Sequence, residues 1–320
     1  MYLGFYGLKK QPFHITPDPE FLYLSPSHNE ALAAITEGVE EKKGFVAVTG
    51  DVGVGKTTIL RSYLHLKQRE PLKTVYVFNS NLTFHGLLMT IYHELGLRSA
   101  GNSVTEMVNG LHEFLIEEQR QGNTVVLFID EAQNMPVDTL ESLAMMPIGE
   151  TSKEKLLQIV LMGQPEFKKA LNKNGLRQLK ERLAAYATIR RLSRAESHEY
   201  LRFRLKHAGT DAASVFTASA RKAIVKKSKG IPRMLNILCD NALIAGFGRE
   251  ERPVTKAIVK EIICSFDGRA HFVRRQLPLG ALAPLLFALD ITLFLRIKRL
   301  RSTKRPVFGE PIEQDEAIGG

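Results

Sequence analysis

The sequence predicts an α/β fold: a parallel sheet covered by helices on both faces, followed by a small all-helical domain. Three observations predict it. From Gly44 to Leu192, short β-branched runs alternate with helix-length segments. The first run ends in a glycine-rich loop, GDVGVGKTT, over Gly50–Thr58. After Leu192 the β-branched runs stop and four helix-length segments follow. Strands alternating with helices favour a parallel sheet, because each crossover helix lays its apolar stripe on a sheet face.

The elements follow in order. To about His28 the chain is rich in aromatics and prolines (Phe5, Tyr6, Pro12, Phe13, Pro17, Pro19, Phe21), which excludes a long helix and predicts extended chain and turns. A helix over 28–42 is expected next, with Ser27 as its cap and Glu30 three positions on. GFVAVTG is a buried strand, and a helix runs from Lys56 to about Gln68. KTVYVFN is the second strand, with helices over 83–95 and 104–120 after it. NTVVLFIDEAQ and LLQIVLMGQPEF each hold a strand, and YATIRRL a short last one. Ser193-x-x-Glu196 is a capping box for a helix to about His207, Thr217 caps another to about Ser228, and Pro232 sits in the first turn of a third. TKAIVKEIICSF closes the series. The domains expected are an N-terminal segment over 1–28, a nucleotide-binding core over 29–192 and a helical lid over 193–268. An apolar segment over 277–295 and a basic, then acidic, tail over 296–320 come after them.

Composition bounds the function. A chain of 320 residues with 44% hydrophobic content can bury about two cores and is too apolar to be disordered. Cys239 and Cys264 have no zinc or disulfide spacing, so both read as reduced core thiols of a cytosolic protein. The net charge of +10 points to an anionic partner: nucleotide, nucleic acid or anionic lipid. Much of that excess lies after Arg177, where a solvated surface accounts for any single cluster equally well. The opening MYLGFYGLKKQPF lacks an uninterrupted apolar stretch, so the nucleotide-binding part is expected in the cytoplasm.

Gly50-x-x-x-x-Gly55-Lys56-Thr57 has the spacing of a phosphate-binding loop and the required context, after a strand and opening a helix. Gly50, Asp51, Val52, Gly53, Val54, Gly55, Lys56, Thr57 and Thr58 are therefore the expected ATP cradle. Backbone N–H groups curl round phosphate oxygens, Lys56 reaches the β- and γ-phosphates, and Thr57 is a ligand for Mg²⁺. Asp130 ends an apolar strand, where it can hold the same Mg²⁺, and Glu131 can polarise the attacking water. Gln164, a polar residue just past the next strand, is a candidate to touch the γ-phosphate or the attacking water. Arg182 can enter a neighbouring subunit's site and stabilise transition-state charge, with Arg177 the weaker candidate. Arg233 opens a lid helix and can reach back to the γ-phosphate. A metabolic P-loop kinase has no use for the lid or for Arg182.

That order of parts resembles the AAA+ ATPases. The stretches FYGLKKQPFHITPDPEFLYLSPSHNEAL, GFVAVTGDVGVGKTT, IDEAQ, LMGQPEF, LKERL and KGIPRMLN resemble, more narrowly, the ExeA/GspA family linked to type II secretion and related envelope machines. The resemblance spans residues 1 to about 268. It implies that the aromatic N-terminal segment packs by the adenine, with Phe13 and His28 as candidates for the base pocket. It also implies an ATP-dependent ring or filament that assembles or remodels an envelope complex for secretion, a pilus or exopolysaccharide export, with an envelope or secretion protein as partner. The alternative is a DNA-binding regulator like the TniB and TnsC ATPases of transposition.

The sequence departs from that family after residue 268. LPLGALAPLLFALDITLFL is close to the ~20 residues that span a bilayer, but it holds Pro278, Pro284 and Asp290 and has basic residues on both sides. Three placements stay open: an inner-membrane anchor, a segment lying on the membrane surface, and a helix packed on protein. The family's wall-binding activity is not carried over, because the residues after Leu295 are too few for that domain.

Overall fold

The computed structural model describes residues 2–14, 19–67, 71–78, 80–98, 103–146, 155–172 and 174–266. The expected apolar segment over 277–295 and the tail lie outside the described residues. Within 1–268 the chain forms one compact unit. Its sheet has five parallel strands: β1 Phe45–Gly50, β2 Leu72–Val77, β3 Thr124–Ile129, β4 Leu157–Gly163 and β5 Leu183–Ile189. Their order is β2-β3-β4-β1-β5. All residues of β1 and β4 are buried, as expected of central strands. At the edge, β5 instead alternates between buried and more exposed positions towards its end.

Thirteen α-helices are seen among the described residues. Helix α1 Tyr2–Tyr6 packs on the lid, and in the sheet part they are α2 Pro26–Glu40, α3 Lys56–Leu66, α4 Phe84–Leu95, α5 Val104–Arg120, α6 Val137–Met145, α7 Pro165–Leu171 and α8 Arg177–Arg182. In the lid they are α9 Arg194–His207, α10 Ala212–Val215, α11 Ala218–Ser228, α12 Pro232–Phe247 and α13 Lys256–Phe266. One sheet face packs against α4–α8, through Leu87, Leu111, Leu140, Phe167 and Leu179. The other carries Ile35 of α2 and Ile59 and Tyr63 of α3. The lid has its own core of Leu201, Leu205, Ile224, Leu238 and Leu243. Tyr6, Leu8, Phe13 and Phe21 of the N-terminal segment are built into that lid core.

Several expectations are corrected. The cap of α2 is Ser25, not Ser27: Ser25 is extended, Pro26 takes the first turn, and His28 fills the position of Glu in the capping box. A short helix, α1, precedes the first proline where extended chain was expected. The last strand begins at Leu183, three residues before the expected start, because Leu183 and Ala185 pair with Phe45 and Val46 of β1. That pairing overrides the helix-favouring LKERLAA. Cys239 is a core thiol, but Cys264 is exposed on α13, whose buried face is made by Ile258 and Val259.

Candidate functional site

The strand register explains the site. The C-terminal ends of β1, β3 and β4 align, with Thr49 opposite Gly163 and Ile129 opposite Leu161. Since β4 lies between β1 and β3, the residue after β4 stands between the glycine-rich loop and the acidic pair. Crossovers run from β1 to distant β2 and back, so the loop opens at a topological switch point, where α/β sheets bind ligands.

Gly53 (φ 80°) and Gly55 (φ 113°) carry the loop through left-handed backbone. A Cβ on Gly55 would lie 2.9 Å from His28 Nε2, and one on Gly53 2.9 Å from Arg233 Cβ. Both neighbours crowd the loop from outside, so only glycine fits. Val54 is fully buried and pins the loop to the sheet core, while Val52 at the tip is exposed. Gly50, Asp51, Gly53 and Gly55 supply the backbone of the turn; Lys56, Thr57 and Thr58 begin α3 facing the cleft. Lys56 Nζ donates to the Gly50 and Asp51 carbonyls, at 2.9 and 3.3 Å. Burial holds its pKa below the usual ammonium value, against the opposing pull of the Glu131, Asp130 and Asp51 charges. Asp51 Oδ2 accepts a bond from Arg191 Nε at 2.6 Å, tying the loop to the chain that enters the lid.

The Thr57 hydroxyl donates to Asp130 Oδ2 at 3.4 Å. Asp130 Oδ1 accepts from the Glu131 N–H at 2.8 Å, and burial raises the Asp130 carboxyl above its ordinary range. A hydroxyl and a carboxylate converging beside a lysine form the oxygen donor set that suits Mg²⁺, so Thr57 and Asp130 fit as its protein ligands. Glu131 stands in left-handed backbone (φ 52°, ψ 42°). Its Oε2 accepts from Gln164 Nε2 at 2.9 Å and from Gln133 Nε2 at 2.5 Å. Gln133 Oε1 in turn accepts from the Gln164 N–H at 2.9 Å. Burial raises the Glu131 carboxyl, but the two amides, with the Lys56 and Arg233 charges, outweigh it and hold the pKa below the carboxylate range. Gln133 was not singled out from the sequence, although it lies two residues after Glu131.

Arg233 lines the cleft from the first turn of α12, and its backbone N–H donates to the Gly53 carbonyl at 3.2 Å. Arg182 ends α8 on an exposed surface, outside the residues lining the cleft, and makes no ion pair with any described residue. Arg177 is exposed and bonded to Glu181 at 2.8 Å. A single chain therefore gathers Lys56, Thr57, Asp130, Glu131, Gln164 and Arg233, and leaves Arg182 outside.

Phe13 is not at the cleft. It is 1% exposed and packs edge-on against Phe216 of the lid, with centroids 6.3 Å apart. The turn at 12–13 buries the ring, a core position worth about 1.5–3 kcal/mol. His28 lines the cleft, but both its ring nitrogens are engaged: Nε2 with the Val54 carbonyl at 2.8 Å and Nδ1 with Ser25 Oγ at 2.6 Å. Nε2 must donate to a carbonyl, so Nδ1 accepts from the serine, and His28 holds the loop to α2. The cleft wall away from the loop includes Phe21, Tyr23, Tyr200, Arg204 and Asn236. Arg204 lies over the Phe21 and Tyr200 rings, 5.0 and 5.5 Å from their centroids. Its Nε donates to the Pro12 carbonyl and Nη1 to the Tyr200 hydroxyl. The Tyr200–Arg204 spacing on one turn of α9 was the available sequence signal.

Residues 39–171 match the family model of an AAA domain. Over 254 residues the chain is 40% identical to general secretion pathway protein A of Aeromonas hydrophila, covering 78% of this chain and 45% of that protein. The chain therefore spans less than half of that relative's length. Among solved structures, the ORC1 protein of Aeropyrum pernix in complex with DNA superposes with a TM-score of 0.59 at 18% identity, over 93% of this chain and 84% of that one. A single-substitution variant of RuvB from Thermotoga maritima does so with a TM-score of 0.52 at 16% identity, over 89% and 86%. These two likenesses are of fold.

Proposed function

From a chain whose nucleotide-binding part is of the ExeA/GspA type of AAA+ ATPase, we propose that ATP is hydrolysed between subunits of a homo-oligomer to assemble or remodel a cell-envelope complex. The machine proposed is type II secretion-like, a pilus or an exopolysaccharide exporter, and its ATPase part works in the cytoplasm at the inner membrane. The observation carrying this reading is the Glu131 carboxylate held by two side-chain amides within a cleft that Lys56 and Arg233 also line.

That geometry supports the following roles. The loop N–H groups and Lys56 bind the phosphates of ATP, and binding exchanges the Lys56 bonds to Gly50 and Asp51 for phosphate oxygens. Thr57 and Asp130 would hold a Mg²⁺, which would supply charge neutralisation on the phosphates. Glu131, kept ionised by its amide partners, orients water and takes its proton at a carboxylate oxygen. Gln164 bonds Glu131 from one face and can offer its other N–H to the γ-phosphate, so the group that senses ATP also positions the base. Arg233 joins lid and phosphate. Arg182, surface-exposed and without an ion pair among the described residues, is available to a neighbouring subunit's ATP, where it would stabilise transition-state charge.

The test is the Glu131→Gln protein. It should bind ATP as tightly as the native chain, lose turnover by about 10²-fold or more, and accumulate as an ATP-dependent oligomer that captures envelope proteins. Turnover at the native rate would remove Glu131 from its role. Tight, ATP-dependent binding of duplex DNA by this protein would replace the envelope reading with the DNA regulator.

A further inference from the structure

Two helix faces of the lid converge on a groove that the nucleotide cleft does not use. On α11, Ser219, Lys222, Ala223 and Lys226 recur at i, i+3, i+4 and i+7, so they share one face. On α13, Lys256, Lys260 and Ile263 recur at i, i+4 and i+7. With Lys227 and Lys229 from the end of α11, these two faces line a cavity of about 550 Å³.

The charge is one-sided. Six of the nine lining residues are lysines and none is acidic. Among the described residues, Lys222, Lys226, Lys229, Lys256 and Lys260 take part in no ion pair. Glu261, the acid nearest in sequence on α13, is turned to Arg249 at 2.5 Å. The field is felt nearby: burial lowers the pKa of His198 on α9, and the Arg221, Arg202 and Lys222 charges lower it further. Those five ammonium groups, gathered without counter-charges among the described residues, repel one another, so an anionic occupant stabilises them.

The floor selects among anions. Ala223 and Ile263 are half-buried at the edge of the lid core, and lysine stems extend that apolar surface. A nucleic-acid backbone offers phosphates but no apolar group to cover the floor. A bilayer surface is flat and does not enter a groove between two helices. A peptide carrying both carboxylates and aliphatic side chains meets the rim and the floor together. We propose that the α11–α13 groove docks an acidic segment of a partner protein, in which carboxylates alternate with aliphatic side chains. The proposal stands apart from the nucleotide site and does not depend on ATP turnover.

The experiment uses the full chain without nucleotide and a fluorescent synthetic peptide of alternating glutamate and leucine pairs. It is read by anisotropy against polyglutamate of equal charge, a DNA duplex and phosphatidylserine vesicles as competitors. The Glu/Leu peptide should bind about tenfold or more tighter than polyglutamate, equivalent to about 1.4 kcal/mol. Lys226→Glu with Lys260→Glu should remove that binding while ATP turnover and the melting temperature hold. Lys169→Glu, exposed on α7, should change nothing. Equal affinity for the two peptides would reduce the groove to bulk charge and overturn the proposal. So would binding indifferent to the double charge reversal, or more effective displacement by DNA or vesicles that the same reversal abolishes.

Discussion

Glu131 is held in a backbone conformation that few non-glycine residues adopt, a strain on the order of 1 kcal/mol or more. The strand ends over-determine it. Its N–H bonds Asp130, its carbonyl accepts from Ser80 Oγ at 2.8 Å, and its carboxylate meets two amides. The amides stabilise the ionised form, so removing one must raise the Glu131 pKa. In Gln164→Ala the carboxylate then protonates at a higher pH, and the acidic limb of the pH–rate profile should move upward. A lower kcat with an unmoved acidic limb would assign Gln164 to the phosphate alone. The acidic pair after an apolar strand was legible in the sequence because both residues are consecutive in it. Gln133 was not, because its partnership with Gln164 exists only through the placement of β4 beside β3.

At the scale of elements, the turn between α11 and α12 couples the lid to the loop. Lys229 and Gly230 are both left-handed, with φ of 52° and 75°. The Gly230 carbonyl accepts from the Leu192 N–H at 2.8 Å, and three residues on the Arg233 N–H reaches Gly53. A Cβ on Gly230 would fall 2.0 Å from the Leu192 carbonyl oxygen, which is backbone and cannot turn aside. Gly230→Ala should therefore cost more than about 1 kcal/mol and lower the melting temperature by several degrees. It should also weaken ATP binding, measurable by nucleotide titration. A lowered melting temperature with full ATP affinity would confine the turn to folding. The long helices of the lid were legible through Ser193, Thr217 and Pro232, whose capping chemistry is local. The short helices α1, α6, α7, α8 and α10 were not, since an apolar period over so few turns is too brief to be told from a loop.

At the scale of the whole molecule, the position of Arg182 makes the strongest prediction. It lies outside the cleft of its own chain, so Arg182→Ala should bind ATP normally yet turn over slowly, by a factor of about 10³ or more if it acts in trans. Lys56→Ala should bind no ATP. Mixed, the two variants should recover part of the activity, because an intact arginine then meets an intact loop across one interface. Mixtures as inactive as either component would end the trans assignment. The sequence by itself determined the α/β class, the loop, the acidic pair and the lid, because each is written in contiguous residues through periodicity, glycine spacing and caps. Only the tertiary structure decided that Phe13 belongs to the lid core, that His28 secures the loop, and that Gln133 and Gln164 share Glu131. These depend on which strands lie side by side and on which aromatic rings the two cores have room to bury, and neither is a property of neighbouring residues in the chain.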